Sequence, residues 1–105
     1  MKELTVQQLQ QMREAEEPLQ VIDVREPWEV EICSIGAHHI PMGEILTRVE
    51  EIKKDVPVVI HCRSGARSAN VVNALEMQLG LTNLYNLRGG ILAWANEIDQ
   101  TLEQY

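Results

Sequence analysis

The sequence contains no phenylalanine, and its only aromatic residues are two tryptophans and two tyrosines. Its core must therefore be filled mostly by valine, isoleucine and leucine. Cations are also scarce: nine Lys and Arg stand against 16 Asp and Glu, a net charge of −7 over 105 residues. Such a chain lacks the clustered positive surface that grips phosphate backbones, which argues against nucleic acid as a partner. Its charge favours solubility instead. The two cysteines, Cys33 and Cys62, show no CxxC or CxxH spacing. A disulfide framework and a zinc site are both unexpected, and a reducing compartment would leave two thiols. No apolar run reaches the length of a membrane span. The opening Met1-Lys2-Glu3-Leu4-Thr5 also lacks the apolar stretch of a signal peptide, so a cytoplasmic location is the expectation. The length fits one domain over residues 1–105.

What is present alternates between strand and helix. Thr5 and Gln8 form a capping-box pattern ahead of Val6, Leu9 and Met12, a helix that should fade near Glu16, Glu17 and Pro18. Leu19 to Val24 reads as a buried strand, and Pro27 can open a short helix through Ile32. Ala37 to Ile40 suggests a second short strand. Ile45, Leu46, Val49 and Ile52 then mark one apolar stripe of a helix over 43–52. Pro57 to His61 is almost continuously apolar, as in a central parallel strand covered on both faces. A helix from Ser68 to Leu79, with Val71, Val72, Leu75 and Leu79 inward, should end at Gly80. Leu84 to Leu87 is another strand, and a last helix runs from Gly90 through Ile91, Trp94 and Ile98. The pattern predicts an α/β fold with a mainly parallel sheet of about five strands, flanked by helices on both faces.

The clearest chemical signal is the segment Cys62-Arg63-Ser64-Gly65-Ala66-Arg67-Ser68, a strand end running through a glycine-containing loop into a helix. Ligand sites in such sheets collect beyond the carboxyl ends of the strands. Successive backbone N–H groups from Arg63 to Ser68 can point inward and stabilise negative charge on the Cys62 sulfur. A free thiol with a pKa near 8.5 is roughly 3% ionised at pH 7, and lowering it by about two units makes thiolate the major form. Arg63 and Arg67 add positive charge nearby. An isolated cysteine at a strand end is most simply a small buried hydrophobe; the flanking arginines, glycine and helix favour a nucleophile. Cysteine phosphatases use a Cys-x5-Arg loop, whereas this segment reads Cys-x4-Arg. The shorter cradle suits a sulfur atom better than a tetrahedral phosphate, leaving phosphatase as a weaker alternative.

Across almost its whole length the chain resembles the rhodanese-like domain family. Ile22-Asp23-Val24-Arg25-Glu26-Pro27-Trp28-Glu29 is similar to the family's first-strand signature. Ala37-His38-His39-Ile40-Pro41, His61 through Ser68, and Tyr85 through Trp94 resemble the segments that follow, in the family's order. The resemblance implies the rhodanese fold and a ping-pong sulfurtransferase: Cys62 takes sulfane sulfur from thiosulfate or a persulfide, holds it as a persulfide, and releases it to cyanide, a thiol or a sulfur-carrier protein. Arg63 and Arg67 would attract an anionic donor, while the backbone from Ser64 through Gly65, Ala66 and Arg67 to Ser68 stabilises the persulfide. No metal or organic cofactor is implied. The stretch Glu31-Ile32-Cys33-Ser34-Ile35-Gly36 departs from the Gly-His-Ile common in the family. It is similar instead to rhodanese-like domains fused to E1-like activating enzymes of molybdenum-cofactor, thiamine and tRNA-thiolation pathways. A non-catalytic binding module of the same family remains the other reading.

Other polar residues have simpler roles in view. Asp23 and Arg25 should brace the catalytic loop rather than react. Cys33 could resolve a Cys62 persulfide as a disulfide, but a buried structural side chain is the simpler expectation. His38 and His39 would face opposite ways on a strand, which spoils them as a metal pair. His61 should point away from the pocket, Gly89 and Gly90 should permit a tight turn, and Trp94 should join the core.

Overall fold

The computed structural model describes residues 1–105. Five strands pair in the order β1-β5-β4-β2-β3, every pair parallel. They are β1 (Glu3–Leu4), β2 (Gln20–Asp23), β3 (His38–His39), β4 (Val58–His61) and β5 (Leu84–Leu87). The four α-helices are α1 (Val6–Glu14), α2 (Pro27–Ile32), α3 (Ala66–Leu79) and α4 (Gly90–Glu97). β4 lies at the centre with all four residues buried, as its unbroken apolar run demands.

Side-chain alternation along the strands divides the core. Ile22, Val58, Ile60 and Leu84 pack with Val71, Val72 and Leu75 of α3 on one face. Val21, Val59 and Leu87 pack with Val6 and Leu9 of α1 and with Ile91 and Trp94 of α4 on the other. Each such buried aliphatic side chain contributes on the order of 1.5–3 kcal/mol. The Thr5 capping box forms as expected, with Gln8 N–H donating to Thr5 Oγ1 at 3.1 Å and Thr5 N–H to Gln8 Oε1 at 2.8 Å. No helix is long and apolar enough to cross a membrane.

Three expectations need correction. The stripe over 43–52 forms not one α-helix but two 3-10 turns, Met42–Thr47 and Val49–Glu51, broken where Arg48 takes φ −127°, ψ 28°. Ile45 and Ile52 are buried from it, but Leu46 is 49% exposed. Leu79 is likewise 46% exposed rather than inward, on the last turn of α3. That helix opens at Ala66, ahead of Ser68, because Gly65 at φ +107° swings the chain into helical geometry earlier. The short β1 was not anticipated; it pairs Glu3 with Asn86 and Leu4 with Leu87.

Candidate active site

The carboxyl ends of β4, β5 and β2 meet the first turns of α3 and α4, and Cys62 lies at that junction with 1% exposure. Its Sγ receives the Gly65 N–H at 3.1 Å and the Ser68 N–H at 3.4 Å, and lies 3.3 Å from Ser68 Oγ. Burial pushes the Cys62 thiol up, while hydrogen bonds from Ser68, Gly65 and Ser64 pull it down and prevail, leaving it below its ordinary value. Of the N–H groups from Arg63 to Ser68 expected to point inward, those of Gly65 and Ser68 reach the sulfur within hydrogen-bonding distance. Ser68, from the first turn of α3, is fully buried.

Two neighbours that sequence reasoning did not assign to the site fix this loop from behind. Asn86 of β5 places Oδ1 2.5 Å from Ser68 Oγ and donates its Nδ2 to the Gly65 carbonyl at 3.2 Å. The first turn of α4 donates Ile91 N–H to the Cys62 carbonyl at 3.0 Å and Leu92 N–H to the Arg63 carbonyl at 3.1 Å. That approach needs Gly90 at φ +57°, since a Cβ there would lie 2.6 Å from the Cys62 carbonyl oxygen. Gly90 thus permits close packing as well as a turn.

The arginines have partners. Arg67 makes a two-pronged pair with Glu29 of α2, Nη1 to Oε1 at 2.6 Å and Nη2 to Oε2 at 2.8 Å. The Tyr105 hydroxyl donates to the same carboxylate at 2.6 Å. Arg63 donates to the main-chain oxygen of Tyr105 and lies 4.9 Å from the centre of its ring. Trp28, more than half exposed, meets that ring edge-on at 5.9 Å between centroids. Glu29 was missed because its partner is 38 residues away; the signal available was an acidic residue in a short helix facing the loop segment.

The Arg67 guanidinium holds the Glu29 carboxyl at about 2, against an ordinary value of 4.5. A folded-state pKa below the unfolded one supplies stability that is complete above the unfolded value and lost as pH falls through the folded one. Acidification from about pH 5 to pH 2 is therefore expected to remove on the order of 2–3 kcal/mol through this buried carboxylate. In Glu29→Gln that portion of the slope should vanish from urea melts taken across the range. An unchanged slope would mean the pair is no stronger in the fold than in the unfolded chain.

Asp23 and Arg25 are nearly inaccessible and grip each other, with Arg25 Nη2 2.7 Å from Asp23 Oδ2 and Nε 3.0 Å from Oδ1. Arg25 also donates to the Cys33 carbonyl at 2.8 Å and the Tyr105 hydroxyl at 3.0 Å. No hydrogen bond runs from this pair to residues 62–68. It stands behind His61, whose Nε2 is 3.6 Å from Asp23 Oδ2. Burial pushes His61 below its ordinary value, so this histidine is neutral packing, as expected. Cys33 packs on the α1–α4 face of the sheet and Cys62 on the α3 face. His38 and His39 bond separately, to Glu51 and to the Arg25 carbonyl.

A wholly parallel α/β sheet with a cysteine cradled at the mouth of its central strand defines a class of cysteine-loop domains. The family model for the rhodanese-like domain matches residues 5–97, and the chain belongs to that family. It is 44% identical over 94 residues to a protein of Allochromatium vinosum named "Sulfurtransferase", covering 89% of this chain and 87% of that one. The "Probable adenylyltransferase/sulfurtransferase MoeZ" of Mycobacterium tuberculosis is 31% identical over 105 residues, covering 97% of this chain and 26% of MoeZ. Among solved structures, a rhodanese-like domain protein of Staphylococcus aureus superposes with a TM-score of 0.82 at 32% identity, covering 100% of this chain and 99% of the other. Family and relatives together support a sulfurtransferase role.

Proposed function

We propose that this single domain moves sulfane sulfur through a persulfide on Cys62. The observation that carries the reading is the Cys62 sulfur seated against the Gly65 and Ser68 N–H groups. The Cys62 thiolate attacks the outer sulfur of a donor such as thiosulfate or a persulfide. The Sγ–S bond forms, the donor's S–S bond breaks, and the leaving group departs with the electron pair, as sulfite in the case of thiosulfate. The terminal persulfide sulfur then takes the place of the anion the N–H groups are arranged to hold. A nucleophilic acceptor (cyanide, a thiol or a sulfur-carrier protein) removes that sulfur, and Cys62 leaves as thiolate. The relatives' names favour sulfur transfer, and the Arg67–Glu29 pair works against a phosphatase, since both guanidinium prongs that would clamp phosphate are already held.

Incubation with thiosulfate, and separately with a low-molecular-weight persulfide, is expected to add one sulfur atom to the intact mass. Cyanide should then remove it, and Cys62→Ser should never gain it. Failure of both donors to load the wild-type chain would overturn the proposal. Hydrolysis of an aryl phosphate would then point to a phosphatase, and absence of either activity to a binding module.

A further inference from the structure

Asn86 stands on the α3 side of β5, is 3% exposed, and has its two amide atoms committed in opposite senses. Its Nδ2 donates to the Gly65 carbonyl, which fixes the rotation of the amide and turns Oδ1 to Ser68 Oγ, 2.5 Å away. A carbonyl oxygen can only accept, so this close contact takes the hydroxyl proton of Ser68. The same hydroxyl oxygen lies 3.3 Å from Cys62 Sγ, and a hydroxyl has one proton to give.

We propose that Asn86 is a positioning residue that withholds the Ser68 proton from Cys62, so that the hydroxyl faces the thiol as an acceptor and joins the two N–H donors on the sulfur only when it turns away from Asn86. In the thiol state Cys62 S–H donates to Ser68 Oγ and Ser68 O–H donates to Asn86. In the thiolate state the hydroxyl rotates onto sulfur, and the buried Asn86 Oδ1 loses that partner. Ionisation of Cys62 therefore carries the cost of one neutral hydrogen bond. A persulfide avoids it: the charge lies on the terminal sulfur, Sγ is neutral, and Ser68 stays with Asn86. Asn86 thus favours the sulfur-loaded site over the empty thiolate. This last consequence rests on the sulfurtransferase reading; the effect on thiol ionisation does not.

The other charged or titratable groups around Cys62 come from every packed element. They are Arg63 in the loop, Arg67 of α3 matched by Glu29 of α2, and neutral His61 of β4, backed by the Asp23–Arg25 pair at the end of β2. The α4 first turn contributes its N–H groups at the Cys62 and Arg63 carbonyls. Substitutions at Ser68 and Asn86 leave all of these side chains in place.

The test is the pH dependence of Cys62 alkylation by iodoacetamide in the wild type, Ser68→Ala, Asn86→Leu and the double variant, the site of alkylation being read by peptide mass. Relative to its effect in the Ser68→Ala background, Asn86→Leu is expected to lower the midpoint by about half to one pH unit, the worth of one neutral hydrogen bond. Ser68→Ala alone removes both the donor to the thiolate and the bond to Asn86, and serves as the baseline. A higher midpoint in Asn86→Leu than in the wild type, relative to the shift in the Ser68→Ala background, would show that Asn86 assists ionisation and would overturn the proposal. So would an Asn86→Leu effect equal in both backgrounds, which reports loop distortion only. Asn86→Ala, which also removes the acceptor of the Ser68 proton, carries the same expectation in both backgrounds should Asn86→Leu fail to fold. Alkylation needs no sulfur donor, so failure of sulfur loading and failure of this inference are read separately.

Discussion

Replacing Arg25 with alanine is expected to lower the stability of the fold by about 3–5 kcal/mol, the usual cost of leaving one partner of a buried ion pair alone. Both side chains are essentially inaccessible. Every donor of the guanidinium has a partner: the Asp23 carboxylate, the Cys33 and Glu29 carbonyls, and the Tyr105 hydroxyl. Burial pushes the Asp23 carboxyl up, but its hydrogen bonds from Arg25 and the charge of that guanidinium pull it down, and the carboxyl stays below its ordinary value. Without Arg25 that carboxylate would have to protonate or admit water. A urea melt should show the midpoint fall with little change in slope. The paired replacement of Asp23 and Arg25 by apolar residues of similar volume should recover much of the loss, because no orphaned charge is left. A loss below about 1 kcal/mol in Arg25→Ala would place the pair among solvent-screened surface bridges.

Gly90→Ala is expected to damage the site as much as the fold. The added methyl would press on the backbone of Cys62 and Arg63, which cannot yield as a flexible side chain would. It would also demand a left-handed conformation of a residue with a Cβ. Backbone strain and overpacking together should cost about 2–4 kcal/mol. The α4 first turn would have to back away, breaking the Ile91 and Leu92 hydrogen bonds to the loop carbonyls. A displacement of this kind is expected to slow loading of Cys62 by about 10²-fold. Gly36→Ala is the control: Gly36 has φ +75° with nothing within 4 Å of its would-be Cβ. It should therefore lose only the roughly 1–2 kcal/mol of the left-handed conformation and leave Cys62 reactivity unchanged. Equal behaviour of the two variants would show that close approach to the loop is not what Gly90 supplies.

Much of the fold was legible because its signals are local. The apolar run before Cys62 reads as a central strand and becomes β4, and the Thr5–Gln8 box opens α1. What misled was periodicity without regard to backbone detail. The stripe from Ile45 to Ile52 has helical spacing, yet two of its positions are satisfied by 3-10 turns that leave Leu46 outside. β1 has two residues, too few to show any period. At the site, the loop around Cys62 was legible because its residues are contiguous. The groups that hold it were not, since Asn86 and Glu29 reach it across 18 and 38 residues of chain. A polar residue within an otherwise apolar strand, as Asn86 stands between Leu84 and Leu87, is the one local trace of such a partner.

The Arg67–Glu29 pair also bears on how a donor arrives. With the Arg67 guanidinium matched by a carboxylate and Arg63 bonded to the main-chain oxygen of Tyr105, neither loop arginine stands free, on a chain whose net charge is −7. Under the proposed sulfur transfer, an approaching dianion would be repelled at long range by that net charge and attracted only at the N–H cradle. Electrostatic steering, which speeds capture where a cleft is lined by one sign of charge, is thus not built into this surface. Added salt, by screening the repulsion, is then expected to ease the encounter of an anionic donor with the site instead of hindering it.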